Sequence, residues 1–204
     1  MRLTKYSHAC IRIEDGDRVL VIDPGVFSEA EALDGATAVL ISHEHEDHVD
    51  VDKIAAARAV DPGLGVFAYP SLALTLKATA VQPGETFSAD GFQVTAVGGE
   101  HAEIIDGLPG CPNLGYLVEG VYHPGDALFV PEEPVETLLV PASGPWLKLR
   151  EAIEFVRAIR PARTFPIHDV NLSALGLANF DGWLEDEPAT TYARIALGGS
   201  VELG

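Results

Sequence analysis

The 204 residues hold 31 acidic and 13 basic side chains, a formal charge of −18 at neutral pH. A surface of that sign repels phosphate backbones and anionic membranes, which disfavours nucleic acid and lipid as partners. At 47% apolar and 22% charged residues the chain is of ordinary globular composition, with the length for one domain, 1–204, around a sizeable core.

In chain order, residues 3–6, 9–14 and 18–23 read as three short strands. The second alternates apolar and polar at period two, the third is the more buried partner, and Asp15-Gly16-Asp17 turns between them. Asp23-Pro24-Gly25 stops the third strand, and 28–33 has room for one helical turn. An apolar strand at 36–41 is followed by a helix at about 50–60 with acids in its first turn, closed by Asp61-Pro62-Gly63. A strand at 66–69, a helix at 70–78 and a strand at 92–97 lead to a Gly- and Pro-rich loop at 106–113, either a lid or a plain connection. The second half follows the same succession, with strands at 114–119 and 121–122, a turn at 123–126, and a strand at 137–140. A helix at 146–159 has apolar residues Leu149, Ile153, Val156 and Ile159 near period 3.6, then come a strand at 163–167, a helix at 170–185 and a β segment at 192–203. Two β-rich halves with helices outside predict an α+β sandwich of two sheets covered by helices.

No apolar run approaches the ~20 residues that span a bilayer, and the N-terminal residues lack a signal-peptide core. Cys10 and Cys111 form no CxxC pair. A reduced, cytoplasmic setting is the simpler expectation, with a single disulfide as the alternative.

The densest chemistry is Ser42-His43-Glu44-His45-Glu46-Asp47-His48, where four potential ligands fall within six residues as His-x-His-x-Asp-His. Imidazole nitrogens and carboxylate oxygens are good donors to a borderline divalent ion. The stretch fills the loop between a strand end and a helix start. His101, Asp126 and His168 each follow another predicted strand closely, and strand ends on one sandwich edge can converge on one cleft. Taken singly each has an ordinary alternative: a polar loop residue, a Pro-Gly-Asp turn, a helix start capped by Asp169.

His43, His45, Asp47 and His48, then His101, Asp126 after a glycine, and His168 resemble the metallo-β-lactamase superfamily over the whole chain. The resemblance implies a four-layer αββα sandwich with two divalent ions at one edge. By that resemblance His43, His45 and His101 hold the first ion, Asp47, His48 and His168 the second, and Asp126 bridges them. Asp126 rather than Cys argues against the antibiotic-degrading branch, and His45 rather than Glu against the flavin-linked di-iron oxygen reductases. Val49-Asp50 departs from the glyoxalase II pattern, and the length leaves no room for the added domain of the nucleases. His8, Ile22-Asp23-Pro24-Gly25 and Pro166-Ile167-His168 are most similar to small hydrolases related to ascorbate-6-phosphate lactonase, although the chain is shorter and the substrate does not carry over.

The implied activity is a dinuclear hydrolase in which a metal-bridged hydroxide cleaves a small ester, lactone, amide or phosphoester. A phosphodiesterase or nuclease of the same fold and a non-catalytic metal-binding protein are the alternatives. Zn suits the N/O ligand set, as do Mn and Fe. Asp47 is expected to orient the nucleophile, Asp23 to hold the ligand loop from behind, and His8 to face the cleft and contact substrate or a ligand. Asp23 as a plain turn residue and His8 as an edge-strand histidine stay open. His123 reads as structural, and Trp146 as an anchor of its helix or a wall of the pocket. The expected partner is a small molecule, with no nucleic acid or membrane, and a homo-oligomer stays open.

Overall fold

A computed structural model describes residues 1–108 and 110–204. The first half supplies β1 (Arg2–Lys5), β2 (Ile11–Asp15), β3 (Arg18–Ile22), a 3₁₀ turn (Ala30–Leu33), β4 (Ala38–Leu40), α1 (Val51–Val60), β5 (Gly65–Ala68), α2 (Pro70–Leu76) and β6 (Thr79–Ala80). The second supplies β7 (Thr86–Ala89), β8 (Phe92–Gly98), β9 (Leu114–Val118), β10 (Val121–His123), β11 (Thr137–Pro141), α3 (Leu149–Ile159), β12 (Arg163–Ile167), α4 (Ala174–Glu185), β13 (Thr191–Tyr192) and β14 (Ser200–Glu202). They form two seven-stranded sheets, ordered β14-β1-β2-β3-β4-β5-β6 and β13-β12-β11-β10-β9-β8-β7. Each begins with antiparallel hairpins and continues with parallel strands, β3 to β6 and β10 to β13.

Period-two patterning decides the layers. In β3, Leu20 and Ile22 enter the core between the sheets, while Val19 and Val21 pack outward. The same split places Leu40 inside and Val39 with Ile41 outside, against Ile54 of α1 and Ala73 and Leu76 of α2. In the second sheet Leu139 faces inward, and Leu138 and Val140 face Phe155 and Val156 of α3 and Phe180 and Leu184 of α4. Both sheets are therefore covered by helices on their outer faces and by each other within, the αββα arrangement expected.

Four local expectations need correction. The short β6 and β7 have no counterpart among the predicted strands, since 79–80 is too brief for any period and 86–89 is half polar. Residues 192–203 are not one β segment. β13 lies parallel to β12 in the second sheet, and β14 crosses to pair antiparallel with β1 in the first. Helix α3 starts at Leu149 rather than at 146, because Gly144 and Pro145 bend the chain. At its start the Glu151 carboxylate accepts from Lys148 N–H at 2.8 Å. Helix α4 begins at Ala174, capped by Ser173, rather than at 170. Cys10 and Cys111 are both free thiols, which removes the disulfide. Among the described residues no helix is long and apolar enough to cross a membrane.

The carboxyl ends of β3, β4, β8, β10 and β12 emerge on one edge of the sandwich, and the turn between β1 and β2 joins them there. Three residues at these ends hold a left-handed backbone: His8 (φ 63°), Asp23 (φ 52°) and His168 (φ 54°). A non-glycine residue there carries a cost of about 1 kcal/mol or more. Here it turns each side chain back over the sheet edge, and the His168 amide donates to the His8 carbonyl at 3.1 Å, tying the two turns together.

Candidate metal centre

The ligand loop is held from beneath by Asp23. This carboxylate is fully buried and accepts from Ser42 N–H (2.7 Å), Ser42 Oγ (2.6 Å) and His48 Nδ1 (2.6 Å). Since Ser42 Oγ gives its one proton to the bond with Asp23, it accepts from His43 Nδ1, at 3.0 Å. These partners assign both imidazoles the same orientation: Nδ1 protonated and turned to the protein, Nε2 turned to the cleft. Gly25 lets the neighbouring turn touch the loop, because a Cβ there would stand 2.0 Å from the Asp47 carbonyl. Lys53 of α1 secures the same turn by donating to the carbonyls of Gly25, Val26 and Ser28 at 2.6–3.1 Å. Asp50 caps α1 by accepting from the amides of Asp52 and Lys53.

Donor atoms then gather in two groups, each with its atoms within 4.8 Å of one another: His43, His45, His101 and Asp126, and His8, Asp47, His48 and His168. All seven residues expected as ligands fall in these groups, and His8 joins the second. Asp126 reaches both. Its Oδ2 lies 3.4 Å from His101 Nε2 and 3.0 Å from His168 Nε2, and its Oδ1 lies 3.0 Å from His48 Nε2. His101 donates Nδ1–H to the Ala102 carbonyl at 2.6 Å, which frees its Nε2 for the cleft. His45 faces His43 with Nδ1 (3.0 Å), and its Nε2 approaches the Cys111 thiol at 3.8 Å.

Several supporting residues carry no signal in the sequence. Asn113 accepts the Asp126 amide at 3.0 Å and donates to the Pro124 carbonyl at 2.9 Å, fixing the turn that carries Asp126. Gly125 is obligatory in that turn: its φ is +61°, and a Cβ would stand 2.3 Å from Asn113 Oδ1. Trp146 is buried and donates its indole N–H to Asp126 Oδ2 at 2.9 Å. It lies in the loop before α3, so its expected role as anchor of that helix is replaced by a contact with the cluster. Ser42 is marked only by its place beside His43.

The remaining residues divide clearly. His8 is 1% exposed with Nε2 3.0 Å from Asp47 Oδ2, so of the two contacts expected of it, substrate or a ligand, it makes the one to a ligand residue and braces Asp47. It sits in the turn between β1 and β2, not in a strand. Asp23 lies below the ligands, out of reach of a substrate. His123 donates Nε2–H to the Ala9 carbonyl (2.8 Å) and accepts the Gly125 amide on Nδ1 (3.1 Å), leaving no free nitrogen. Burial holds its pKa below the ordinary value.

Electrostatics set the charge of each donor in the metal-free cluster. Burial, joined by repulsion from His48, pushes the His43 pKa well down, so this imidazole is neutral. Burial opposes the Asp47 charge, but its hydrogen bond to His8 and the neighbouring histidines bring its pKa down to about 2. Burial likewise opposes ionisation of Asp126, and His48, His101 and His168 override it. His48 is pressed down by burial yet raised to about 10 by Asp126 and Asp23.

The fit to metal ions rests on unmet hydrogen-bonding capacity. His8 Nδ1, His48 Nε2, His101 Nε2, Asp126 Oδ1 and both ring nitrogens of His168 are buried without a hydrogen-bond partner. Some approach one another within about 3 Å, yet none meets hydrogen-bond geometry. Leaving one buried polar atom unmet costs about 1–3 kcal/mol, so a cluster of six requires explanation. A nitrogen and carboxylate set of this kind suits borderline divalent ions.

Outside the cluster opens a cleft of about 540 Å³ lined by Glu44, His45, Glu100, His101, Ala102, Glu103, Ile104, Leu108, Gly110 and Cys111. The 106–113 loop thus supplies part of its wall; Pro109 lies outside the described residues. Among those residues no lysine or arginine lines the cleft.

A family model described as "Beta-lactamase superfamily domain" matches residues 2–168. The chain is 37% identical over 201 residues to "Protein Rv0786c" of Mycobacterium tuberculosis, covering 94% of this chain and 95% of that protein. It is 32% identical over 146 residues to "UPF0173 metal-dependent hydrolase SPO2976" of Ruegeria pomeroyi, covering 62% and 63%. Among solved structures it is similar to a "Putative metal-dependent hydrolase" of Parabacteroides distasonis, with a TM-score of 0.77, 19% identity and coverage of 96% and 92%.

Proposed function

The chain belongs to the metallo-β-lactamase superfamily, and we propose that it is a dinuclear metal-dependent hydrolase of small ester, lactone or amide substrates. The observation that supports this reading is the set of buried, unpartnered nitrogen and oxygen atoms gathered in one cluster of potential ligands. The name of the Ruegeria pomeroyi relative supports the reaction class. His43, His45 and His101 would hold one ion and Asp47, His48 and His168 the other, with Asp126 shared and His8 bracing Asp47. The imidazole-rich nitrogen and carboxylate set suits zinc, and with no thiolate in it manganese or iron as well. Ions bound there would polarise the scissile oxygen and supply a water activated as nucleophile at neutral pH.

The protein's own part is orientation and proton control. Asp23 and Ser42 hold His43 and His48 in the tautomer that presents Nε2. The Asp47 side chain is 24% exposed, far more than Asp126 at 4%, so Asp47 is the carboxylate placed to orient the attacking water. The cleft narrows the substrate. Glu44, Glu100 and Glu103 line it with no lysine or arginine among the described residues, so away from the ions the wall favours neutral or cationic groups over phosphoesters and nucleic acids. Free Cys10 and Cys111 support a reducing, cytoplasmic setting.

The test combines elemental analysis with hydrolysis of a panel of esters, lactones, amides and phosphodiesters by the zinc-loaded protein. Close to two ions per chain, lost in His43→Ala and Asp126→Ala, with turnover of the uncharged substrates, is the expected result. Less than one ion per chain in metal-supplemented protein, or turnover of phosphodiesters alone, would overturn the reading.

A further inference from the structure

We propose that Trp146 is a positioning residue of the metal centre, holding Asp126 in the orientation that serves both ligand groups. The proposal rests on the dinuclear reading above. Asp126 is the carboxylate on which that reading depends most, since it alone lies against histidines of both groups. A carboxylate pivots about its χ2, a broad torsion that its own backbone turn does not set. Asn113 fixes the Asp126 amide but touches neither carboxylate oxygen. Among the described residues Trp146 is the only side chain that meets hydrogen-bond geometry with this carboxylate, by its indole N–H to Oδ2 at 2.9 Å, while the histidines approach it without doing so. Taking one lone pair of Oδ2 fixes the carboxylate plane and leaves Oδ1 and the second Oδ2 lone pair for the ions.

The surroundings are shaped for this contact. The indole meets His101 and His168 edge-on, each at 6.0 Å between ring centroids, so it braces one histidine from each ligand group. Gly144 makes room for it. At φ +155°, a Cβ on Gly144 would stand 2.8 Å from the indole Nε1 and 3.0 Å from Cε2. The 143–146 loop is thus built to bring the N–H donor, and not merely an apolar ring, to the carboxylate. A ring needed only for packing would not require its nitrogen edge to face a buried anion.

Two measurements test this. The first is zinc binding by competition with a chromogenic chelator, in the wild type and in Trp146→Phe, which keeps an aromatic ring and removes the donor. Loss of a hydrogen bond to a ligating carboxylate should lower affinity for at least one of two zinc ions by about 10–100-fold. Co(II)-loaded Trp146→Phe should show a changed d–d spectrum, which a change in packing remote from the ions would not produce. The second needs no variant in the cluster: the indole N–H resonances of 15N-labelled wild-type protein during zinc titration. The Trp146 signal should shift in step with zinc occupancy, while that of the exposed Trp183 should not.

Wild-type affinity, stoichiometry and Co(II) spectrum in Trp146→Phe would reduce Trp146 to a packing residue. So would a Trp146 resonance unmoved by zinc that binds with two ions per chain. Wild-type protein that takes up no zinc would instead sink the dinuclear reading, and this proposal with it.

Discussion

Asp23→Asn separates charge from shape in the support of the metal centre. Asn is close in size and is among the few residues that tolerate the left-handed backbone at this position (φ 52°), so the turn itself should survive. The change is chemical. The carboxylate now accepts three hydrogen bonds, from Ser42 N, Ser42 Oγ and His48 Nδ1. An amide retains one oxygen, which can keep the Ser42 amide. Its NH₂ then faces two groups that are themselves donors. Hydrogen bonds to a charged group are worth about 1.5–3 kcal/mol each and a buried unmet donor costs about 1–3 kcal/mol, while Ser42 Oγ can rotate to recover one contact. The net loss should be about 2–4 kcal/mol for the metal-free protein, read as a lower midpoint in urea at unchanged slope. A second effect is specific to the ligands. Without an acceptor at Nδ1, His48 is free to carry its proton on Nε2, the atom that faces Asp126 and the cleft. Zinc affinity at the His48 group should fall by about 10–100-fold. Calorimetric zinc titration beside the urea curves separates the two effects. An Asp23→Asn protein that binds two zinc ions at wild-type affinity would refute the claim that Asp23 sets the His48 tautomer.

Other contacts lead to further expected outcomes. Gly25→Ala should destabilise the fold by more than about 3 kcal/mol or prevent soluble expression, because its Cβ meets backbone atoms of the ligand loop at 2.0–2.6 Å; a variant within about 1 kcal/mol of wild type in urea would contradict this. Lys53→Met removes a donor to three carbonyls of the 25–28 turn and should speed amide exchange there while leaving α2 unchanged, as hydrogen-exchange mass spectrometry would show. Chelation should abolish hydrolysis yet leave the far-ultraviolet circular dichroism intact, since the core between the sheets is independent of the cluster; loss of the β signal with the metal would count against this. Glu100→Gln combined with Glu103→Gln should raise kcat/KM for an anionic ester relative to its neutral isostere, an advantage that shrinks as salt rises. An unchanged ratio would remove the electrostatic argument for substrate class.

Most of the layer structure is legible in local pattern. Leu20, Ile22, Val19 and Val21 alternate between two cores because β side chains alternate, and that alternation is a property of neighbouring residues. The ligand loop is legible for the same reason: His43, His45, Asp47 and His48 are crowded into one turn, and the resemblance they carry extends to His101, Asp126 and His168. The edges of the sheets are less so. β6 and β13 are two residues each, and their strand state depends on a partner distant in sequence.

What the residues alone determined, then, is the αββα class, the ligand types and their grouping at strand ends. The support of those ligands was decided only by the tertiary structure. Trp146 lies 20 positions from Asp126 and Asp23 lies 25 from His48; their local sequence reads equally as a loop tryptophan and a turn aspartate, and only the family resemblance pointed to Asp23 behind the ligand loop. His8, expected to contact substrate or a ligand, meets the ligand residue Asp47 across 39 positions, and which of the two it would meet was not readable in the chain. Hydrogen bonds of this kind leave no period in the chain, because they form between strand ends that only sheet pairing and the shared core bring together. A buried carboxylate must find donors wherever the fold places them. At this edge of the sandwich those donors are Ser42, His48 and Trp146, and their convergence exists only in three dimensions.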